Sequence, residues 1–285
     1  MSANVSLESL QFLSEKIRRR LVEVVYMAKA GHIGGGLSSL NVLTVLYFKV
    51  MNVDPQQPQK KDRDRFVMSK GHCAEALYSV LEARGFIPTD MLNTYGQYDS
   101  PLAGHPTVKN PGVEVNSGAL GHGLSIGVGM SIAAKMDNMD YKTYVLMGDG
   151  EQGEGSIYEA AMSASHYKLD NLVAIIDRNR LQISGKTEDV MCLEPMRQRW
   201  EAFGWEVFEL NGNDIDALLT VFDEMSFDNQ KPKLIIANTI KGNGISYMEN
   251  IAKWHHGVPS EEQYDSAMQE IGDRIATISP ENQNK

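Results

Sequence analysis

Cysteine is nearly absent: Cys73 and Cys192 are the two in 285 residues. They are too few for a disulfide framework or a cysteine-built zinc centre, and a reducing, cytoplasmic setting is expected. An excess of positive charge is missing as well. With 27 Lys+Arg against 37 Asp+Glu, the formal net charge is −10, which argues against nucleic acid or an anionic membrane as the main partner. It does not argue against a phosphate ligand, because backbone amides and a metal can carry that site locally. Met1 to Leu13 lacks the basic stretch and apolar core of a signal peptide. No apolar run is expected to reach the length of a membrane span, and no repeat or linker divides the chain. No Gly-x-Gly-x-x-Gly follows the first strand with an acidic residue at the right distance, which weakens a nucleotide-binding Rossmann reading.

What is present is an ordinary globular composition, 42% hydrophobic and 22% charged, on a chain long enough for one large α/β domain. Periodicity predicts a helix over Ser6–Lys29, with Leu10, Ile17 and Leu21 on its apolar stripe. Gly31 to Gly36 ends it, and Ser38/Ser39 are placed to cap a second helix through Lys49. Phe66–Met68 reads as a strand, Cys73–Arg84 as a helix, and Gly118–Gly123 opens another helix to about Met136. Later come a helix near Glu194–Phe203, a strand near Glu206–Leu210, helix Ile215–Met225 and strand Leu234–Thr239. Ser260-Glu261-Glu262-Gln263 suits a capping box for a last helix, and the polar tail from Pro280 is expected to fray. The expected fold is α/β: one domain over residues 1–285, with a doubly wound, mostly parallel sheet and helices on both faces.

Two triplets carry the chemistry. Gly148-Asp149-Gly150 follows the apolar run Tyr144–Met147, and Asp177-Arg178-Asn179 follows Leu172–Ile176. Gly-Asp-Gly alone is a common turn tripeptide. The helical stretch Gly155–Lys168 between the two makes a βαβ unit, which delivers both polar ends to the same sheet edge. A carboxylate and a carboxamide there can hold one hard cation and leave its other positions to water and phosphate oxygens. Glycines flanking Asp149 let the backbone approach a diphosphate.

Five of the seven histidines adjoin a glycine: His32, His72, His105, His122 and His256. One such pair is loop chemistry. Several at strand ends and helix starts suggest imidazoles pointing into one crevice, suited to sugar hydroxyls and proton relay near neutral pH. Their spacings suit no zinc pattern. His166, mid-helix, reads as structural.

Together the motifs resemble the N-terminal, diphosphate-binding part of transketolase. In the family's order stand Ala30-Gly31-His32, Met68-Ser69-Lys70-Gly71-His72, Ala103-Gly104-His105-Pro106, Asn116–Gly121, Gly148–Gly155, Asp177–Gln182, Lys241-Gly242-Asn243-Gly244 and Trp254-His255. The resemblance implies thiamine diphosphate and Mg²⁺ as cofactors. Asp149, Asn179 and the Leu181 carbonyl would ligate the metal, and Gly150 would approach the diphosphate. His72, His255 and Lys241 would sit at its phosphate end. Gly118, Ala119 and Leu120 would line the aminopyrimidine, while His32 and His105 would serve donor and acceptor hydroxyls. Glu154 and Glu159 resemble the family's acidic pair at the interface between subunits, although Glu154 equally suits a charge opening a helix, and Lys241 can be read as a solvated loop lysine.

The sequence departs from the family at Gly35, where a small polar residue is frequent, and at His122 and Gly153, where glutamine is common. Trp254-His255-His256-Gly257 offers two imidazoles for one role; spacing favours His255, and a one-residue shift selects His256. No pyrimidine-binding or C-terminal domain follows. The expectation is therefore one half of a split transketolase, α₂β₂ with a C-terminal partner subunit, which works on sugar phosphates. The alternatives are the alpha subunit of a 2-oxo-acid dehydrogenase or decarboxylase, a split deoxyxylulose-phosphate synthase, and a non-catalytic cofactor-holding module.

Overall fold

The computed structural model describes residues 5–279; the tail from Pro280 lies outside them. Ten α-helices are described: α1 (Leu7–Ala28), α2 (Ile33–Val45), α3 (Ala74–Arg84), α4 (Thr89–Leu92), α5 (Gly123–Met136), α6 (Gly155–His166), α7 (Thr187–Val190), α8 (Met196–Ala202), α9 (Ile215–Glu224) and α10 (Glu261–Ile278). Seven strands accompany them: β1 (Arg65–Met68), β2 (Thr143–Gly148), β3 (Leu172–Arg178), β4 (Leu181–Gln182), β5 (Gly185–Lys186), β6 (Glu206–Asn211) and β7 (Lys233–Asn238). Five form one parallel sheet in the order β1-β2-β3-β7-β6, and β4-β5 is a separate two-residue hairpin.

Strand alternation explains the double winding. Tyr144, Leu146, Val173, Ile175, Ile235 and Ala237 pack with α1, α2, α3, α9 and α10. Their neighbours Val145, Met147, Ala174, Ile176, Leu234 and Ile236 pack with α5, α6 and α8. Both faces are covered, as a parallel sheet requires. The register sets Gly148 beside Asp177 and Arg178 beside Asn238, so β2, β3 and β7 end together.

Local signals account for several boundaries. Ser6 accepts from the Ser9 amide to start α1, and Lys29 closes it at φ 56°. At α10 Ser260 and Gln263 form the expected capping box.

Two sequence expectations are corrected. α2 does not begin at Ser38/Ser39: it starts at Ile33, with His32 as N-cap. The glycines are helical because the backbone is approached too closely for side chains. A Cβ on Gly34 would lie 2.5 Å from the Trp254 carbonyl oxygen, and one on Gly35 would lie 2.7 Å from Cys73 Sγ. Ser38 and Ser39 instead donate back to the Gly35 carbonyl from inside the helix, at 3.0 and 2.9 Å. Second, the helical run Ile33–Val50, which includes a π-turn over Leu46–Val50, is long and apolar enough to cross a membrane by length and composition. It is the central helix of this core, 83% buried.

Candidate functional site

The strand ends meet over a cavity of about 440 Å³, lined by side chains from β1's exit, β2's exit, the β4-β5 hairpin, α2 and the 241–255 segment. The cluster starts at Asp149. Its carboxylate is buried and accepts from the Gly150 amide at 2.8 Å, the Arg180 amide at 2.5 Å and Arg178 Nη1 at 3.4 Å. Burial, and then the neighbouring Asp177 charge, raise its pKa above the ordinary carboxylate value. Asn179 donates from Nδ2 to Asp177 Oδ2 at 3.0 Å while its Oδ1 accepts from the Leu181 amide at 3.2 Å. The Leu181 carbonyl accepts from Lys241 Nζ at 3.0 Å. A Cβ on Gly150 would come within 2.9 Å of Gln182 Cγ, so the backbone there is bare by necessity.

Beneath these groups lies a buried ion pair that sequence reading missed. Lys70 Nζ bonds Asp177 Oδ2 and donates to the Gly35 carbonyl at 2.8 Å. Asp177 also accepts from Ser38 Oγ at 2.6 Å and from Thr239 Oγ1. Burial opposes both charges, but each holds the other ionised: Lys70 is shifted up and Asp177 down. Arg178 is buried between Asp149, Thr187, Glu188 and Glu194. Glu151 accepts from Ser69 Oγ, from the Gly121 amide at 2.8 Å and from the Gly148 amide at 3.1 Å, tying the Gly118–Gly121 loop to two strand ends. The sequence signal for Lys70 and Asp177 was present, since both lie inside quoted motifs; what it lacked was their pairing across 107 residues.

Four imidazoles gather at the cavity. The His32 ring centroid lies 5.1 Å from His72, 5.5 Å from His255 and 4.8 Å from His256. His72 and His255 stack at 5.3 Å. Burial is the first cause that lowers all three of the more enclosed rings, helped by neighbouring charge: His32 to about 4, His72 to about 2 and His255 to about 3. They are neutral near pH 7. Between the two candidates after Trp254, His255 lines the cavity, with Nδ1 3.2 Å from Lys241 Nζ. An ammonium only donates, so His255 carries its proton on Nε2. His256 is exposed and packs on His32 from outside. Burial and Lys70's charge lower Lys241, and it is 2% exposed, not a solvated loop lysine.

The other expected residues are less enclosed. Gly118 and Leu120 line the cavity, whereas Ala119 between them is exposed. His105 is exposed but lies over Gly118, where a Cβ would come 2.8 Å from its Cδ2. His122 does not join the cluster: it is exposed, with its ring on the Leu120 carbonyl. Gly35 lines the cavity, and Cys73 occupies the space a polar side chain there would need. Glu154 lines the rim at the start of α6, and both Glu154 and Glu159 are exposed.

Among the described residues no three His, Cys, Asp or Glu side chains are grouped to hold a metal. The oxygens of Asp149, Asn179 and Leu181 instead make an incomplete hard-donor set, of the kind that leaves positions for phosphate.

Comparison with known proteins gives a consistent result. Residues 10–275 match the family model for the transketolase thiamine diphosphate binding domain. An apulose-4-phosphate transketolase subunit from Phocaeicola vulgatus is 63% identical over 281 residues, covering 99% of this chain and 100% of that protein. Its namesake from Actinobacillus succinogenes is 47% identical, covering 95% and 98%. Among solved structures, transketolase from Campylobacter jejuni superposes with a TM-score of 0.89 at 31% identity, covering 96% of this chain and 46% of that one. The Leishmania mexicana enzyme gives 0.85 at 30%, covering 97% and 46%. The chain thus spans about half the length of these solved transketolases.

Proposed function

The chain belongs to the transketolase family, and from that membership we propose that it is the cofactor-holding half of a two-subunit transketolase. The enzyme moves a two-carbon ketol unit from a ketose phosphate to an aldose phosphate. One observation carries the reading: a neutral imidazole cluster shares a cavity with an oxygen-donor site at three converging strand ends. The family model supports thiamine diphosphate as the cofactor.

The residues present fit a Mg²⁺–diphosphate group. Asp149 is a buried carboxylate with a raised pKa, a charge that a divalent cation would relieve. The other two donors, Asn179 Oδ1 and the Leu181 carbonyl, are hard oxygens. Gly150 leaves the backbone clear on the cavity side. Asp149, Asn179 and Leu181 would hold the metal, and Lys241 would then turn from the Leu181 carbonyl toward the phosphates. Gly118 to Leu120, fixed through Glu151, would form the wall for the aminopyrimidine. When bound, the cofactor supplies the electron sink that makes carbon–carbon cleavage feasible.

The chain's own groups bind and relay protons. Neutral His32, His72 and His255 each offer one donor and one acceptor to sugar hydroxyls. The Nε2 proton of His255 is fixed by Lys241, and His105 and His256 stand at the mouth for the incoming sugar. The identity to two apulose-4-phosphate transketolase subunits supports apulose 4-phosphate as the ketose donor. Those relatives also support a C-terminal partner, with Glu154 and Glu159 on the surface that meets it and an α₂β₂ assembly in the cytoplasm.

The test is ketol transfer from apulose 4-phosphate to an aldose phosphate, with Mg²⁺ and thiamine diphosphate. The chain is assayed alone and with the product of a neighbouring gene for the C-terminal part. Turnover in the mixture and none with the chain alone is expected. Turnover by the chain alone would overturn the two-subunit reading, and CO₂ release from a 2-oxo acid would move it to the dehydrogenase class.

A further inference from the structure

Glu75 is a fully buried carboxylate that the mechanism above leaves unused. Burying a charge without a cation is costly, and among the described residues Glu75 forms no ion pair. It sits in the first turn of α3, where the helix dipole favours a negative charge. Its Oε1 accepts from the backbone amide of His32 at 2.5 Å, and Oε2 lies 3.5 Å from Tyr95 Oη.

The His32 amide is otherwise without a partner, because His32 is the N-cap of α2 and its own carbonyl serves the Gly36 amide. The preceding residue is shaped to the contact. Gly31 has φ +154°, and a Cβ there would lie 2.8 Å from Val25 Cγ2 and 3.2 Å from Glu75 Oε1. Gly31 also accepts from the Gly257 amide at 3.3 Å, and His32 bridges to Gly257. The strut that Glu75 holds is therefore joined to the loop carrying His255 and His256.

Resting on the transketolase reading, we propose that Glu75 is a positioning residue: its carboxylate anchors the His32 amide and so aims the His32 imidazole into the cluster with His72, His255 and His256. It touches neither substrate nor cofactor. Burial raises its pKa to about 7, so the strength of the anchor changes across neutrality. The titratable groups packed round it are Cys73, Tyr78, Tyr95 and His32, and the nearest cation acting on it is Lys70.

The test uses the assembled two-subunit enzyme carrying Glu75→Leu or Glu75→Gln. Leucine removes the acceptor; glutamine keeps shape and acceptor but cannot ionise. Expected for Glu75→Leu is a fall in kcat of ~10- to 10²-fold, the range for a misaligned catalytic group. Thiamine diphosphate affinity, read by calorimetry, should stay within about twofold, well inside the tenfold that 1.4 kcal/mol represents. In its crystal structure the His32 ring should leave the cluster. Glu75→Gln, which preserves packing if the leucine variant does not fold, should lose the ionisation near pH 7 from the kcat profile. Wild-type kcat with an unmoved ring in Glu75→Leu, or an unchanged profile in Glu75→Gln, would overturn the proposal. If the wild-type enzyme shows no ketol transfer, the functional reading fails, while the ring position in Glu75→Leu still judges the anchor.

Discussion

Lys70→Met tests whether the site rests on a buried ion pair. Lys70 and Asp177 are 1% and 0% exposed and bond directly. Removing one partner of such a pair costs ~3–5 kcal/mol, because the other is left as an uncompensated buried charge. Asp177 keeps three neutral donors, from Ser38, Thr239 and Asn179, which places the loss near the lower end, about 3 kcal/mol. For a chain of this size each kcal/mol moves the melting midpoint by ~2–4 °C, so thermal unfolding followed by circular dichroism should fall by ~6–12 °C. Adding Asp177→Asn removes the stranded charge and keeps the hydroxyl contacts. The double variant should therefore recover much of the loss, while Asp177→Asn alone strands Lys70 and is itself destabilised. This non-additivity is the signature of a coupled pair. A single variant within about 1 °C of the parent, far less than even 1 kcal/mol implies, or strictly additive losses, would refute the electrostatic account.

The remaining expectations are direct. His72→Ala should lower turnover in the assembled enzyme by ~10²-fold or more, as loss of a positioned acid–base group does; stopped-assay rates on a folded variant decide it. Gly150→Val places side-chain atoms where Gln182 and the diphosphate face the backbone. Losing one charge-assisted hydrogen bond costs ~1.5–3 kcal/mol, so calorimetry should show thiamine diphosphate affinity down ~10-fold or more. The folded pKa values of His32, His72 and His255 are depressed to about 4, 2 and 3. Below pH 6.5 the unfolded chain therefore takes up protons that the folded chain does not, and stability must fall with pH from 6.5 through 4. Glu75, raised to about 7, works in the opposite sense but is one group against three. The urea midpoint should thus be lower at pH 5 than at pH 7, and an unchanged midpoint would contradict the burial of the imidazoles.

Much of this protein was legible in one dimension. Alternating apolar strands, the βαβ spacing between Asp149 and Asn179, and the Ser260 cap are local or periodic signals, and they fix elements without reference to the rest of the chain. They also name most of the residues at the cavity, because strand ends of a parallel sheet share one edge. Local rules failed where a distant surface overrode them. Ser38 and Ser39 are good caps by propensity, yet the glycines before them are helical because Trp254 and Cys73 press on the backbone. Periodicity is equally silent about buried charge. A lysine, an arginine or a glutamate reads as solvated until tertiary contacts supply the partner that makes its burial tolerable, as Asp177 does for Lys70 and the His32 amide does for Glu75. Sequence by itself determined the sheet, its edges and the residue types delivered there. Only the tertiary structure decided which imidazole after Trp254 faces the cavity, and which buried groups hold the others still, because those choices depend on contacts between segments far apart in the chain.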